Sequence, residues 1–289
     1  MIDAHLHLWQ TQNGKVNGLP VYHLGNGLSQ FGDVVRQMMP PYMTDGVNSV
    51  ERLLANMDFA QVAAAVVTQE YIDGNQDEYL QTVRQNHPER IRVCALYEEK
   101  PLGDIRWADG IKICAGRLQD PDLTKLDEVF ATAARNGQFV GLDLADGDTQ
   151  TASLREMIQQ YPELPMAIGH FGMVTTPGWQ EQIRLARYPR VYVESGGITW
   201  LFNSEFYPYP SAVRAILEAR DICGMDKLMW GSDYPRTMTA ITYRMSWDFV
   251  DKSPLLTDAE KQLFFHQNAH QFYHFANLPQ MPYVHHMAE

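Results

Sequence analysis

Cysteine is scarce in this chain: three residues in 289, Cys94, Cys114 and Cys223, with no Cys-X-X-Cys spacing among them. That weighs against a disulfide-stapled scaffold and a cysteine-based zinc module. Each lies in an apolar run, and all three are expected as buried reduced thiols. No stretch approaches the roughly 20 consecutive apolar residues that a membrane span needs, so no membrane association is expected. Positive charge is also short. Lys and Arg number 23 against 35 Asp and Glu, a net charge of -12, which argues against nucleic acid as a partner because affinity for a phosphate backbone comes largely from clustered cations. An acidic surface still permits an anionic substrate, since a few basic groups inside a cleft set the local field. Asp3 and His5 stand where an export signal would have a basic start and an apolar core, so a cytoplasmic protein is expected. No glycine-rich phosphate loop follows the first apolar run, which weighs against an open, doubly wound sheet.

What the chain does have is alternation. Hydrophobic residues make up 45% and charged residues 20%, ordinary for a globular protein. Short β-rich runs at Ile2 to Leu8, Ala63 to Gln69, Ile91 to Tyr97, Gly110 to Ala115, Phe139 to Ala145, Pro165 to Phe171, Val191 to Ser195 and Leu228 to Ser232 read as strands. Helical patterns fall between them, at Ser49 to Ala60, Gln76 to His87, Leu123 to Asn136, Thr151 to Tyr161, Trp179 to Tyr188 and Ser211 to Cys223. Ser49 is placed to cap the first helix. Such alternation is the signature of a parallel sheet with crossover helices. At this length it predicts one α/β domain, a (β/α)8 TIM barrel. Two further helices, Tyr243 to Asp251 and Asp258 to Phe275, follow the last strand, the second packing outside the barrel. The barrel is expected over residues 1–276 and a Pro-containing tail, with His285-His286, over 277–289. The connection Trp9 to Asn48, rich in Gly, Pro and aromatics, is long for a βα loop and reads as a lid or pocket wall.

Chemistry in a barrel gathers at strand C-termini. His5 and His7 stand there on the first strand, His170 at the end of the sixth and Asp233 after the eighth. Residues two apart on a strand project to one face, so both imidazoles of His5-Leu-His7 point together while Ala4, Leu6 and Leu8 pack on the other side. Two convergent nitrogen donors are half of a metal site.

The segments Ile2-Asp-Ala-His-Leu-His-Leu-Trp9, Gly110-Ile-Lys112, Gly169-His170 and Trp230-Gly-Ser-Asp-Tyr-Pro235 resemble the amidohydrolase superfamily. The likeness is to the amidohydrolase-related branch, which includes sugar lactonases, dicarboxylate lactonases and carboxylate decarboxylases. The resemblance extends over nearly the whole chain. It implies a (β/α)8 barrel in which His5, His7 and Asp233 hold a divalent ion and Asp233 takes the proton from attacking water. Relatives often add a histidine at the end of the fifth strand; here Gly141-Leu-Asp-Leu-Ala-Asp-Gly147 has none and offers Asp143 instead. Two alternatives stay open: zinc or manganese with Asp143 as an oxygen ligand, or a site that works without metal. In dicarboxylate lactonases of the branch, two basic residues near Lys112 and Arg117 grip substrate oxygens. The competing role for Lys112 is a structural ion pair with Asp143 or Glu194.

Glu194 and Ser195, ending the seventh strand, are weaker candidates for the pocket. Trp200, Phe202, Phe206, Tyr207 and Tyr209 could wall a ring-shaped ligand or simply pack. These readings predict a hydrolase that opens the lactone of a sugar acid or small carboxylated ring. Asp233 and His170 are the catalytic groups, and Lys112, Arg117, Asp143 and Trp200 contact a small-molecule substrate. The alternatives are a metal-dependent decarboxylase or hydratase and a non-catalytic binding protein. The sequence leaves the oligomeric state open.

Overall fold

Each of the eight apolar runs becomes a strand. In the computed structural model, which describes residues 1–285 and 287, they are β1 (Ile2–Leu6), β6 (Ala64–Val67), β7 (Ile91–Leu96), β8 (Gly110–Ile113), β9 (Phe139–Leu142), β10 (Met166–Ile168), β11 (Val191–Glu194) and β12 (Leu228–Met229). They pair in parallel in that spatial order. The apolar runs are buried on both faces, as parallel strands between helices must be. Hydrogen bonds from Ala4 N to Trp230 O, Asp233 N to His5 O and His7 N to Tyr234 O, each 2.9 Å, join the ends of the sheet. The fold is a single-domain (β/α)8 barrel.

Helices α1 (Val50–Phe59), α2 (Asp77–Asn86), α3 (Asp127–Asn136), α4 (Thr151–Gln160), α5 (Trp179–Arg184), the one-turn α6 (Ile198–Leu201) and α7 (Pro210–Cys223) connect the strands. Their apolar stripes face the sheet, as with Val50, Leu53 and Met57 of α1. Ser49 occupies the N-cap of α1 but makes no capping bond; Val50 N donates instead to Tyr79 Oη at 2.8 Å. Cys94 and Cys114 are buried and unpaired, whereas Cys223, near the end of α7, is only half-buried. Among the described residues, no helix is long and apolar enough to cross a membrane.

Three expectations need correction. The Trp9 to Asn48 segment is more than a loop: it contains an antiparallel meander of β2 (Asn13–Val16), β3 (Leu19–Gly25), β4 (Leu28–Phe31) and β5 (Val34–Gln37). Asn17-Gly18 and Asn26-Gly27 turn its first two hairpins with positive φ at both residues, the conformation that Asn-Gly favours. Ala4 does not pack with Leu6 and Leu8. The β1–β6 register shifts between Asp3 and Leu6, so Ile2 and Ala4 join Ala64, Val66 and Met229 in a separate cluster. The C-terminal helices do more than pack outside. After α8 (Met245–Asp251), the helix α9 (Asp258–Gln262) continues through a π turn into α10 (Asn268–Phe272). Phe272, Tyr273 and Phe275 then close the barrel's N-terminal end against Ile2, Ala64 and Phe139. Of the expected tail, His286, Ala288 and Glu289 lie outside the described residues.

The meander is pinned at two places. Trp9 and Asn48 exchange backbone hydrogen bonds at its neck. Further out, Lys15 N donates to Tyr71 O at 2.8 Å and Asn13 N to Asp73 O at 3.2 Å. A Cβ on Gly14 would overlap the carbonyl of Tyr71, so only glycine lets the two backbones approach this closely. Gly14→Ala is expected to lift the meander while leaving the barrel folded. Limited proteolysis should then cut within 13–37 several-fold faster than in the parent, with the far-ultraviolet circular dichroism spectrum little changed.

Candidate active site

At the C-terminal ends of the strands lies a cavity of about 860 Å³. His7, Asp143, His170, Trp200, Asp233, Arg117 and the meander residues Phe31, Arg36, Gln37 and Met38 are among those lining it. Both His170 (φ 51°) and Asp233 (φ 58°) have left-handed backbones, a conformation that costs energy outside glycine and clusters at functional sites.

The floor is a convergent set of ring nitrogens and carboxylates. His5 Nδ1 lies 2.6 Å from Glu194 Oε1 and donates its proton there, which turns His5 Nε2 toward the cavity floor. That atom lies 3.2 Å from His7 Nε2 and 3.9 Å from Asp233 Oδ1, while His7 Nε2 and Asp233 Oδ1 are 2.9 Å apart. Burial, reinforced by the Arg236 charge, lowers the His7 pKa well below its ordinary value, so the ring is neutral and carries one proton. His7 Nδ1 faces Asp73 Oδ2 at 3.4 Å, and the Nε2 atoms of His5 and His7 converge with Asp233 Oδ1. This is the donor set that a divalent ion takes, and the ligand atoms of His5, His7 and Asp233 all lie within 4.8 Å of one another. His5, Asp143 and His170 form a second such group around the same imidazole.

His170 is the charged partner. Burial alone would lower its pKa, but Asp143 Oδ2 at 3.5 Å, with Asp233 and Glu194 beyond, raises it to about 10. Its Nδ1 donates to Gly196 O at 2.9 Å. Asp233 is held well below the usual carboxylate range, because the His7 hydrogen bond and the Arg236 charge outweigh its burial. Trp200 Nε1 donates to its other oxygen at 2.7 Å.

Lys112 is the candidate that the structure moves furthest. It is 1% exposed and lies under Asp143, Nζ to Oδ1 2.6 Å, and is not among the residues lining the cavity. The ion-pair role is the one its position supports. Arg117 does line the cavity, but its guanidinium is engaged by Glu70 through Nε (2.7 Å) and Nη2 (2.9 Å). Glu194 stands behind His5 and also lies outside the lining. Of the aromatic run only Trp200 faces the cavity; Phe206 is 91% exposed, Tyr209 is buried, and Tyr207 donates to Asp248.

Sequence reasoning missed Glu70, Asp73 and Arg236. Arg236 Nη2 donates to Asp73 Oδ1 at 2.6 Å and Nη1 lies 3.5 Å from Asp233 Oδ1. The available signal was position: Glu70 and Asp73 follow β6, and Arg236 stands three residues beyond Asp233 at the start of a short 3-10 turn.

The amidohydrolase family model matches residues 2–275. The chain belongs to the amidohydrolase family. No curated protein matches it. Among solved structures, this amidohydrolase is similar to a probable 2-pyrone-4,6-dicarboxylic acid hydrolase from Acinetobacter baumannii with citric acid bound, with a TM-score of 0.70 and 19% identity over 95% of this chain and 99% of that one. It is also similar to an amidohydrolase from Burkholderia multivorans with bound zinc, with a TM-score of 0.68 and 16% identity over 96% and 99% of the two chains. A third relative is a 5-carboxyvanillate decarboxylase from Novosphingobium aromaticivorans with bound manganese, with a TM-score of 0.54 and 16% identity over 77% and 80%. At these identities the likeness establishes the shared fold.

Two predictions follow from the charges. Lys112→Met leaves Asp143 buried without its nearest cation and should lower unfolding free energy by about 3–5 kcal/mol, read by urea denaturation; a raised KM at parental stability would instead indicate substrate contact. The His170 pKa is raised on folding, so its stabilisation is full below about 6.5 and lost as pH rises through about 10. Stability of the parent should fall across that window, and the fall should be smaller in His170→Asn, measured by urea denaturation at stepped pH.

Proposed function

We propose that this amidohydrolase opens a lactone, the cyclic ester of a sugar acid or of a small carboxylated ring. The observation that carries this reading is the convergence of an ionised carboxylate, Asp233, and a protonated imidazole, His170, at one cavity floor. Ester hydrolysis needs a proton acceptor for the attacking water and a donor for the leaving oxygen.

Asp233 accepts the proton of the water as its oxygen bonds to the carbonyl carbon. Trp200 Nε1 fixes the rotamer of that carboxylate by holding Oδ2, and leaves Oδ1 turned toward the histidines. The tetrahedral intermediate collapses by breaking the ring carbon–oxygen bond, and His170 donates its Nε2 proton to the departing oxygen. One proton is taken and one given, so transfer between the two groups restores the starting state. A carboxylate with so low a pKa is a weak base, which suits a water that is itself made more acidic. A divalent ion on His5, His7 and Asp233, with zinc or manganese compatible with the donors, would supply that acidification and polarise the carbonyl. Glu194 holds the His5 imidazole from behind, and Asp73 faces the His7 ring at 3.4 Å. The nearby charge of Arg236 and the protonated His170 favour negative charge developing in the intermediate. A lactone is an activated ester and demands less of such a site than an amide.

Arg117, Asp143 and Trp200 are the proposed substrate contacts among the lining residues. Asp233→Asn removes the proton acceptor and should lower kcat at least a hundredfold while the protein stays folded. A pH-indicator assay over sugar-acid and dicarboxylate lactones, with and without chelator, measures this. Near-parental turnover in Asp233→Asn would overturn the assignment. Bound metal with no lactone turnover would favour decarboxylation.

A further inference from the structure

Three guanidinium groups line the cavity of a chain whose net charge is -12, those of Arg36, Arg117 and Arg236. Two are already paired with carboxylates, Arg117 with Glu70 and Arg236 with Asp73. Arg36 is different. Among the described residues it has no carboxylate partner, and its guanidinium carbon lies 4.7 Å above the Phe31 ring. The meander sets this up. Arg36 pairs with Ser29 across β4 and β5, so Phe31, two residues along β4, shares its face and takes the guanidinium on its ring. Stacking of this kind orients the planar group and leaves its N–H edges free for a carboxylate.

The sheet that carries Arg36 is also fixed relative to the floor. Ser29 Oγ donates to Gln12 Oε1 at 2.6 Å, both buried, and β2 is bonded to the backbone of Tyr71 and Asp73. Arg36 therefore belongs to a wall held at a set place above His7 and Asp233. Asp146, an acidic residue from the loop after β9, also lines the cavity.

Resting on the lactonase reading, we infer that Arg36 is a specificity-determining residue that selects lactones bearing a free carboxylate remote from the ester, as in the lactone of an aldaric acid. Its charge would reward such a substrate over a neutral sugar lactone of the same ring size, and the effect should fall mainly on KM.

The test compares parent, Arg36→Gln and Arg36→Lys on an aldarate lactone and the matching neutral aldonate lactone. The ratio of kcat/KM, acid over neutral, is expected to fall about tenfold or more in Arg36→Gln, with only partial recovery in Arg36→Lys, because lysine lacks the planar fork. An unchanged ratio would overturn the proposal. If no lactone is turned over, the lactonase reading fails while Arg36 remains testable by calorimetric titration with citrate as a polycarboxylate probe. About tenfold weaker citrate binding by Arg36→Gln supports recognition by Arg36; equal affinity, or no binding by the parent, overturns it.

Discussion

The seam between the first and last strands is the constraint on which the rest of the structure depends. His7 and Asp233 are 226 residues apart in the chain and 2.9 Å apart in space, and only closure of the barrel brings them together. A single buried carboxylate fastens that seam. Asp3 accepts hydrogen bonds from the backbone of His5 and Ser232, from Ser232 Oγ and from Tyr243 Oη. Burial pushes its pKa up to about 6 against the pull of those four donors. Asp3 touches none of the cavity, yet it fixes the strand ends from which His5, His7 and Asp233 project.

Above the seam, charge rather than apolar packing organises the site. Each carboxylate near the floor faces a cation or an imidazole: Asp143 with Lys112 and His170, Asp73 with Arg236 and His7, Glu70 with Arg117, Glu194 with His5. Unpaired, these groups would be costly to bury; paired, they hold protonation states that water would not sustain. A protonated His170 and an ionised Asp233 at one cavity floor result from this arrangement, and they are the donor and acceptor that the proposed ester cleavage would use. Lys112 contributes as the buried counter-charge that keeps Asp143 ionised, and Asp143 in turn keeps His170 protonated.

What the sequence revealed and what it hid divide along a physical line. The barrel strands were legible because parallel strands covered on both faces must be apolar along their length, and Ala63 to Val67 or Ile91 to Leu96 can hardly be anything else. His5, His7, His170 and Asp233 were legible because polar groups at the ends of such runs need a reason to be there. The meander was not recognised, although Asn17-Gly18 and Asn26-Gly27 are hairpin signals, because strands exposed on one face carry Lys15, Gln30 and Arg36 among their apolar residues and read as loop. The ion partners were hidden for another reason. Which carboxylate meets which cation depends on distances between separate loops, so Glu70, Asp73 and Arg236 carry no mark of their role in the local sequence.

The place of the meander in the chain has its own logic. A segment inserted directly after β1 begins two residues beyond His7, and its neck closes on that residue: Asn48 Nδ2 donates to His7 O at 2.6 Å while Asn48 and Trp9 exchange backbone bonds. Whatever grows between positions 9 and 48 is thereby rooted beside His7 and held over the cavity. On the proposed reading, residues at the strand ends answer to the reaction, since each must keep its distance from the others. Residues on the meander answer only to what enters, so a side chain such as Arg36 can change without disturbing the geometry of His5, His7, His170 and Asp233. On the proposed reading, separating the two roles in this way would let one barrel floor serve different ring substrates through changes confined to its first connection.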